Sequence, residues 1–571
     1  MPTLAPPSET AAAPGLDAVL AKFPAGSITP QEGLDQPTWI VRRDVLADLA
    51  RELKTNPETQ FDMMLDLCGV DFPDREERFE AVYHLYSMPR AARLRLKVPL
   101  REDDAVIPSL ISVWKAINWF EREIYDMFGI HVEGHPDLRR ILCHEAFQGH
   151  PLRKDYDPAR RWILTEDKIY KPNFDLPERE DDMFERMTIN IGPSHPAMHG
   201  TFRLMAVMDG ETITASDVEI GYLHRCFEKM SETHNWQQVI PYTDRLNYCS
   251  SFINNVGYCK TVEKLLGIEA PPKAVWARTI LSEFSRIMDH CVCNGTTLVD
   301  VGGLTNFWYM LQPREEIYGL LESCCGARLT VSYGRIGGLS QDLPPDFMER
   351  SRRLVEMIPP FIDDVETLVN KNRIWLDRSV GVAAISGAEA VDWGWTGPCL
   401  RASGVGYDVR RAHPYDLYDT VDWEVPVLYG GDVYDRYRIR MMEIRESLKI
   451  IRQLLDRGIP EGSHIVDDPH VALPSKEACY NQMESMIYHF KLIMDGIQVP
   501  AGEAYSMVEG ANGELGFYAI SDGTSKPYRL KVRPPCFPIF STFSRLINGG
   551  SLSDTIATLG GLNIIAGELE R

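Results

Sequence analysis

The sequence predicts an α+β architecture in two unequal parts, and three observations point to it. Residues 16–156 interleave strand-like runs with helical ones. Residues 187–571 carry long helical stripes that open and close on strand-and-turn patterns. Between them, 157–186 is polar, with Pro172, Pro177 and an acidic patch at 178–182, and reads as a linker. A chain of 571 residues is also too long for one core.

The elements follow in order. The start, MPTLAPPSETAAAPG (1–15), lacks the basic and apolar regions of a secretory signal and reads as a disordered Pro/Ala tail. In the first part AVYHLY (81–86) and LRLKVPL (94–100) are strand-like. The second part opens with a hairpin: 201–208 runs to an Asp209-Gly210 turn and returns through 211–219. Residues 277–297 form an uninterrupted helix. Met441, Ile444, Leu448, Ile451 and Leu455 repeat at 3,4,3,4 and mark a helix packed in a bundle. Met483, Met486, Ile487, Phe490 and Met494 make a second stripe, which at this spacing reads as core. The tail returns to strands, with turns at 510–513 and 522–523.

Bulk properties narrow the function. Sixty Lys+Arg against 82 Asp+Glu give −22, which argues against nucleic acid or an anionic membrane surface as partner. No stretch of about 18 uncharged apolar residues occurs, so nothing is expected to span a bilayer. Twelve cysteines are too sparse for a disulfide scaffold and read as reduced thiols of a cytosolic chain. There is no Cys-x-x-Cys, no Gly-x-Gly-x-x-Gly and no P-loop. The chain is therefore expected to hold no metal, cluster or dinucleotide by itself.

Candidate chemistry remains in four places. GPSHPAMHG (192–200) sets two histidines four apart, but Pro196 pushes His195 out of the helical region and makes the stretch a turn. His144-Glu145 with His150 misses the zincin spacing, and Gly149 and Pro151 break the helix it needs. Glu283, Arg286 and His290 share one helical face; by spacing alone this is a salt-bridged face set against another subunit. Asp300 stands at the wrong end of that helix for a cap, and orienting a histidine is a fitting role for it. Two phenols, Asp244 and Arg245 crowd 242–248. Nothing in the spacing shows that His199, Tyr248 and Asp300 meet.

Longer motifs carry a resemblance. WFEREIYDMFG (119–129) followed by HPDLRRIL (135–142) resembles the C, or 30-kilodalton-type, subunits of NADH:quinone oxidoreductase, respiratory complex I. GPSHPAMHG, then GYLHR (221–225), YTDRLNY (242–248), GDVYDRY (431–437) and the terminal GELER (567–571), resemble the D, or 49-kilodalton-type, subunits. The likeness covers nearly the whole chain apart from 1–15 and the linker, and identifies it as a C/D fusion. It implies a small α/β domain, then a hydrogenase-large-subunit-like helical bundle flanked by β-structure.

The resemblance also assigns roles. It implies that His199 and Tyr248 hold and protonate the quinone headgroup, with Asp300 behind His199 and Thr296 also at the quinone; His195 keeps a structural role in the turn. Quinone reduction takes two electrons and two protons, and an imidazole and a phenol suit the two oxygens. Electrons are implied to come from a [4Fe–4S] cluster of the neighbouring B subunit, beside Arg225. Other [4Fe–4S] and [2Fe–2S] clusters and FMN would sit on other subunits, and a membrane-arm subunit would line the quinone channel. The implied location is peripheral, on the cytoplasmic face of the bacterial inner membrane. The run 121–140, rich in charge and aromatics, is expected to be an interface. One departure stands out: many relatives carry a histidine after Gly-Ala-Arg, whereas Gly326-Ala327-Arg328-Leu329 is followed here by Thr330. The rival is the large subunit of a membrane-bound [NiFe] hydrogenase. It needs two Cys-x-x-Cys pairs, but Lys229 stands three residues after Cys226 and no cysteine follows Cys536.

Overall fold

The computed structural model describes residues 15–31, 35–160, 173 and 187–571. Residues 1–14 of the expected tail and all of the linker except 157–160 and 173 lie outside the described residues. The fold is α+β, with an N-terminal sheet and a larger helical region.

The N-terminal sheet has five strands, β1 (Ile28–Gln31), β2 (Thr38–Val41), β3 (Met63–Asp71), β4 (Phe79–Ser87) and β5 (Ala92–Leu100), in the order β1-β2-β5-β4-β3. Pairing is antiparallel except for β2 with β5. Every residue of β3 is buried, so both of its faces are covered. One face packs on helices α1 (Leu46–Thr55) and α2 (Ile117–Phe128). Gly69 permits the approach of α2: a Cβ there would stand 2.5 Å from the Phe128 ring. The other face meets a C-terminal sheet through Cys68, Val70, Val82, Tyr505 and Tyr518.

The expected hairpin forms between β7 (Arg203–Asp209) and β8 (Thr212–Glu219), and β6 (Met187–Ile191) adds a third strand. The helical region centres on α4 (Pro272–Asp300), which packs against α3 (Ser251–Leu266), α5 (Leu304–Cys325) and α7 (Val433–Arg457); α6 (Phe347–Val369) covers α5 and α7. The 441–455 stripe lies buried in α7, as its period requires. The chain closes with the antiparallel sheet β9 (Gly502–Gly510), β10 (Gly513–Ser521) and β11 (Arg529–Arg533), then α9 (Leu552–Leu562).

Three expectations change. The methionine stripe forms the helix α8 (Met483–Met494), but Met483 is 77 % exposed and Phe490 63 %, and only Leu492 of that helix is buried. Periodicity identifies an apolar face without saying what covers it. Second, Glu283, Arg286 and His290 face no other subunit: all three are fully buried within this chain. Glu283 bonds Arg286, Arg410, Tyr418 and Ser447, and His290 Nε2 lies 2.8 Å from Glu443. Third, much of the run 121–140 turns inward. Glu121, Arg122, Glu123 and Asp126 are buried, and the Asp126 carboxylate accepts the N–H groups of Ile141, Leu142 and Cys143. Glu123 accepts from Lys531 of β11 and from Arg571. That face is the seam between the two parts of this one chain.

Asp66, on β3, faces this seam with neither carboxylate oxygen hydrogen-bonded, and Lys531 Nζ is 3.9 Å away. Burial pushes its carboxyl up to about 6. The folded state thus binds the proton more tightly than the unfolded chain, and the stability this confers at low pH is lost as pH rises through about 6. Asp66→Asn should therefore gain stability over the native chain from about pH 4 to pH 6 and hold a gain on the order of 2 kcal/mol above. Urea denaturation of the full chain from pH 5 to 8 measures it; a pH-independent difference would contradict the assignment.

Candidate functional site

The turn 192–200 is built as the proline predicts. His195 is extended (φ −143°, ψ 130°), and its Nδ1 accepts the Ala197 N–H at 3.2 Å, capping the short 3-10 turn Pro196–Met198. His199 closes that turn in the left-handed region (φ 53°), a conformation non-glycine residues rarely hold without a constraint. The constraint is visible: the His199 Nε2 is hydrogen-bonded to the Asp300 carboxylate.

Asp300 is the last residue of the 29-residue helix α4. A carboxylate at a helix C-terminus opposes the helix dipole by roughly 0.3–1 kcal/mol. The hydrogen bond from the His199 imidazole to this carboxylate offsets part of that cost. Thr296 stands one turn before Asp300, on the same face. Its hydroxyl donates back to the Val292 and Cys293 carbonyls at 2.9 and 3.1 Å, so toward a ligand it offers lone pairs. The next helix, α5, begins with exposed Leu304 and Trp308.

Tyr248 sits on the short turn Tyr248–Ser250 that leads into α3 and packs on α4. It is 37 % exposed, and its hydroxyl makes no hydrogen bond among the described residues. Burial of the ring, then the nearby Cys249 and Asp289, push the phenol up to about 12. It therefore stays protonated, a ready donor at neutral pH.

Arg225 is held by two backbone carbonyls, those of Arg245 and Gly567, both at 2.9 Å, and burial lowers its pKa. Beside it the His224 Nδ1 lies 2.7 Å from the Glu570 carbonyl. Burial, desolvating its carboxyl, pushes Glu570 up to about 7. A hydrogen bond from His224 lowers the pKa of Cys226, which sits at φ 56°. Cys226 and Cys143 line one cavity of about 380 Å³ with Arg140, His144, Tyr222 and His224.

The structure thus brings His199 to Asp300, puts Thr296 on the same helix face, and sets Tyr248 against that helix. Arg225 belongs to a separate cluster. Sequence reasoning gave no role to His224, Asn247, Asp289 or Asn563, and weighed Cys226 only as a nickel ligand that lacks its partner cysteine. His224 and Asn247 lay inside the recognised motifs 221–225 and 242–248, and Cys226 directly follows the first of them; Asp289 and Asn563 are single polar residues without a pattern.

Known proteins are similar to this sequence along almost the whole chain. Residues 39–161 match the family of the respiratory-chain NADH dehydrogenase 30 Kd subunit, and 300–571 match that of the 49 Kd subunit. The chain is 50% identical over 513 residues to the C/D subunit of the NADH-quinone oxidoreductase of Bdellovibrio bacteriovorus, covering 90% of this chain and 91% of the relative. It is 39% identical to the C/D subunit of Nitrosospira multiformis, covering 95% and 92%. Against the D 1 subunit of the Sorangium cellulosum NADH-quinone oxidoreductase it is 48% identical, covering 69% of this chain and 98% of the relative.

The His224–Cys226 pair yields a direct test. The hydrogen bond favours the thiolate, whereas burial pushes the Cys143 thiol up. Iodoacetamide at pH 7.5 should label Cys226 before Cys143 in the full chain, and His224→Ala should slow Cys226 severalfold, read by peptide mass spectrometry. Equal labelling of both thiols would contradict it.

Proposed function

The chain belongs to the fused C/D subunits of NADH-quinone oxidoreductase, the respiratory complex I, an oxidoreductase assembled with other subunits, and on that premise we propose that its His199–Tyr248 face binds and protonates the quinone. The observation that carries this reading is the His199–Asp300 pair at the end of α4, with an unbonded, protonated phenol at Tyr248 on the turn that packs against the same helix. When His199 is protonated, its Nε2–H donates to the Asp300 carboxylate, and the other N–H, on Nδ1, is left to donate to a quinone oxygen. Asp300 holds the ring's orientation and stabilises its charge. The phenol of Tyr248 donates a hydrogen bond to the other oxygen. It releases its proton only to the strongly basic reduced form, because burial disfavours the phenolate. Thr296 contributes at most an acceptor.

Quinone is the substrate, and the electrons come from a [4Fe–4S] cluster of the B subunit. Arg225, clamped by two backbone carbonyls, supplies a fixed cation toward that partner. The remaining clusters and FMN reside on other subunits, and the membrane-arm subunit lines the quinone's route. Attachment to the cytoplasmic face of the bacterial inner membrane and coupling to proton translocation follow from the same reading. Among the described residues no helix is long and apolar enough to cross a membrane, which fits attachment through partners. A [NiFe] site would need the cysteines whose places Lys229 and the cysteine-free stretch after 536 occupy.

In native membranes, His199→Ala and Tyr248→Phe should each lower NADH oxidation by soluble quinone about 10-fold or more, typical for loss of a general acid. Oxidation by an artificial acceptor that draws electrons upstream should persist. Normal quinone reduction in both variants would sink the reading. A redox titration of the [4Fe–4S] cluster in the B subunit tests Thr330, which cannot gain a proton with the electron. The potential should fall below that of relatives with histidine there and vary little with pH; a steep pH slope would contradict it.

A further inference from the structure

We propose that Asp289 is a positioning residue for Tyr248, acting through Asn247; the inference rests on the reading of Tyr248 given above. The Tyr248 hydroxyl has no hydrogen bond among the described residues, so the position of the ring depends on its backbone. That backbone is held one residue earlier. The Asn247 side-chain oxygen accepts the Cys249 N–H at 3.1 Å, its carbonyl accepts from Asn254 Nδ2 at 2.9 Å, and its Nδ2 donates to Asp289 Oδ1 at 3.0 Å.

Asp289 itself is 1 % exposed on α4. Its other oxygen accepts from Asn563 Nδ2 at 2.8 Å, and the same nitrogen donates to Asn512 Oδ1 at 2.6 Å. Asn563 is left-handed (φ 56°) and opens the segment whose Gly567 carbonyl clamps Arg225. Among the described residues Asp289 pairs with no Lys or Arg; the nearest basic atom is Nδ1 of His290, 3.7 Å away. A buried carboxylate without a cation is costly unless its acceptors are needed. Here they are: two amide donors converge on it, and only a group with two acceptors satisfies both. An asparagine at 289 would set an NH2 against one of the two donors, freeing either Asn247 or Asn563.

The test uses the assembled oxidoreductase in native membranes. Asp289→Asn should raise the KM for soluble quinone about tenfold, the effect of one lost buried hydrogen bond, with less change in kcat and an unchanged rate to the upstream acceptor. The paired exchange, Asp289→Asn with Asn247→Asp, swaps donor and acceptor across the same contact and leaves Asn563 its acceptor. It should return the KM to within about twofold of native, as a coupled pair does. A normal KM in Asp289→Asn overturns the proposal. So does a joint fall of both rates that the exchange restores with no KM change at any stage, because that marks a bond serving only the fold. If Asp289→Asn fails to assemble, Asn247→Ser decides: it keeps an oxygen for the Cys249 N–H but cannot reach Asp289. A raised KM there supports the proposal, and a normal one overturns it. Tyr248→Phe in the same assay separates the two levels. Unaltered quinone kinetics would remove the Tyr248 reading and this inference together; impaired kinetics beside a normal Asp289→Asn would remove the inference alone.

Discussion

The structure depends on one constraint: the central helix α4 carries ionisable side chains that cannot reach water. Glu283, Arg286, Asp289 and His290 are each at most 1 % exposed, and an unpaired charge in such a place costs several kcal/mol. Each therefore recruits partners from elsewhere in the chain. Glu283 draws in Arg410 and Tyr418 from the segment before α7. His290 meets Glu443 of α7, which Arg401 holds at 2.7 Å, and Arg401 reaches Glu509 of β9 at 2.9 Å. Asp289 draws in Asn247 and Asn563. One buried helix thus fixes the loop of Tyr248, the C-terminal segment and, through Asp300, the turn of His199.

The seam between the two parts works in the same way. The N-terminal sheet presents Arg93, Arg95 and Lys97 to Glu514 and Glu503 of the C-terminal sheet, at 2.9, 3.3 and 2.7 Å. His84 stacks on Tyr505, ring centroids 4.8 Å apart. Deeper in, Glu123 of α2 and Glu228 share Lys531 and Arg571. Breaking one partner of such a cluster strands the other charge, whereas the intact set contributes mostly geometry. The consequence for function is rigidity: Glu570 and Gly567, beside the terminal arginine in this seam, are the groups that hold His224 and Arg225.

Much of this was legible. The 441–455 period, the Asp209-Gly210 hairpin and the long helix through 277–297 all formed, because each is a local pattern that burial on one face enforces. The ordered motifs carried the family. The reading went astray where the partner of a face had to be guessed. By composition alone the charged face at 283–290 and the run 121–140 read as contacts with other subunits, yet the former and much of the latter close on this chain. By spacing alone the methionine stripe at 483–494 reads as core, yet it is exposed. Composition along one element states that a face seeks burial or pairing; it does not say with what.

The sequence by itself therefore determined the main local elements, their α+β order and the family. Only the tertiary structure decided which residues meet. His199 and Asp300 are 101 positions apart, and Asp289 and Asn563 are 274 apart. Hydrogen bonds at that separation leave no local period, since they form only after helix and sheet packing has brought donor and acceptor to within about 3 Å.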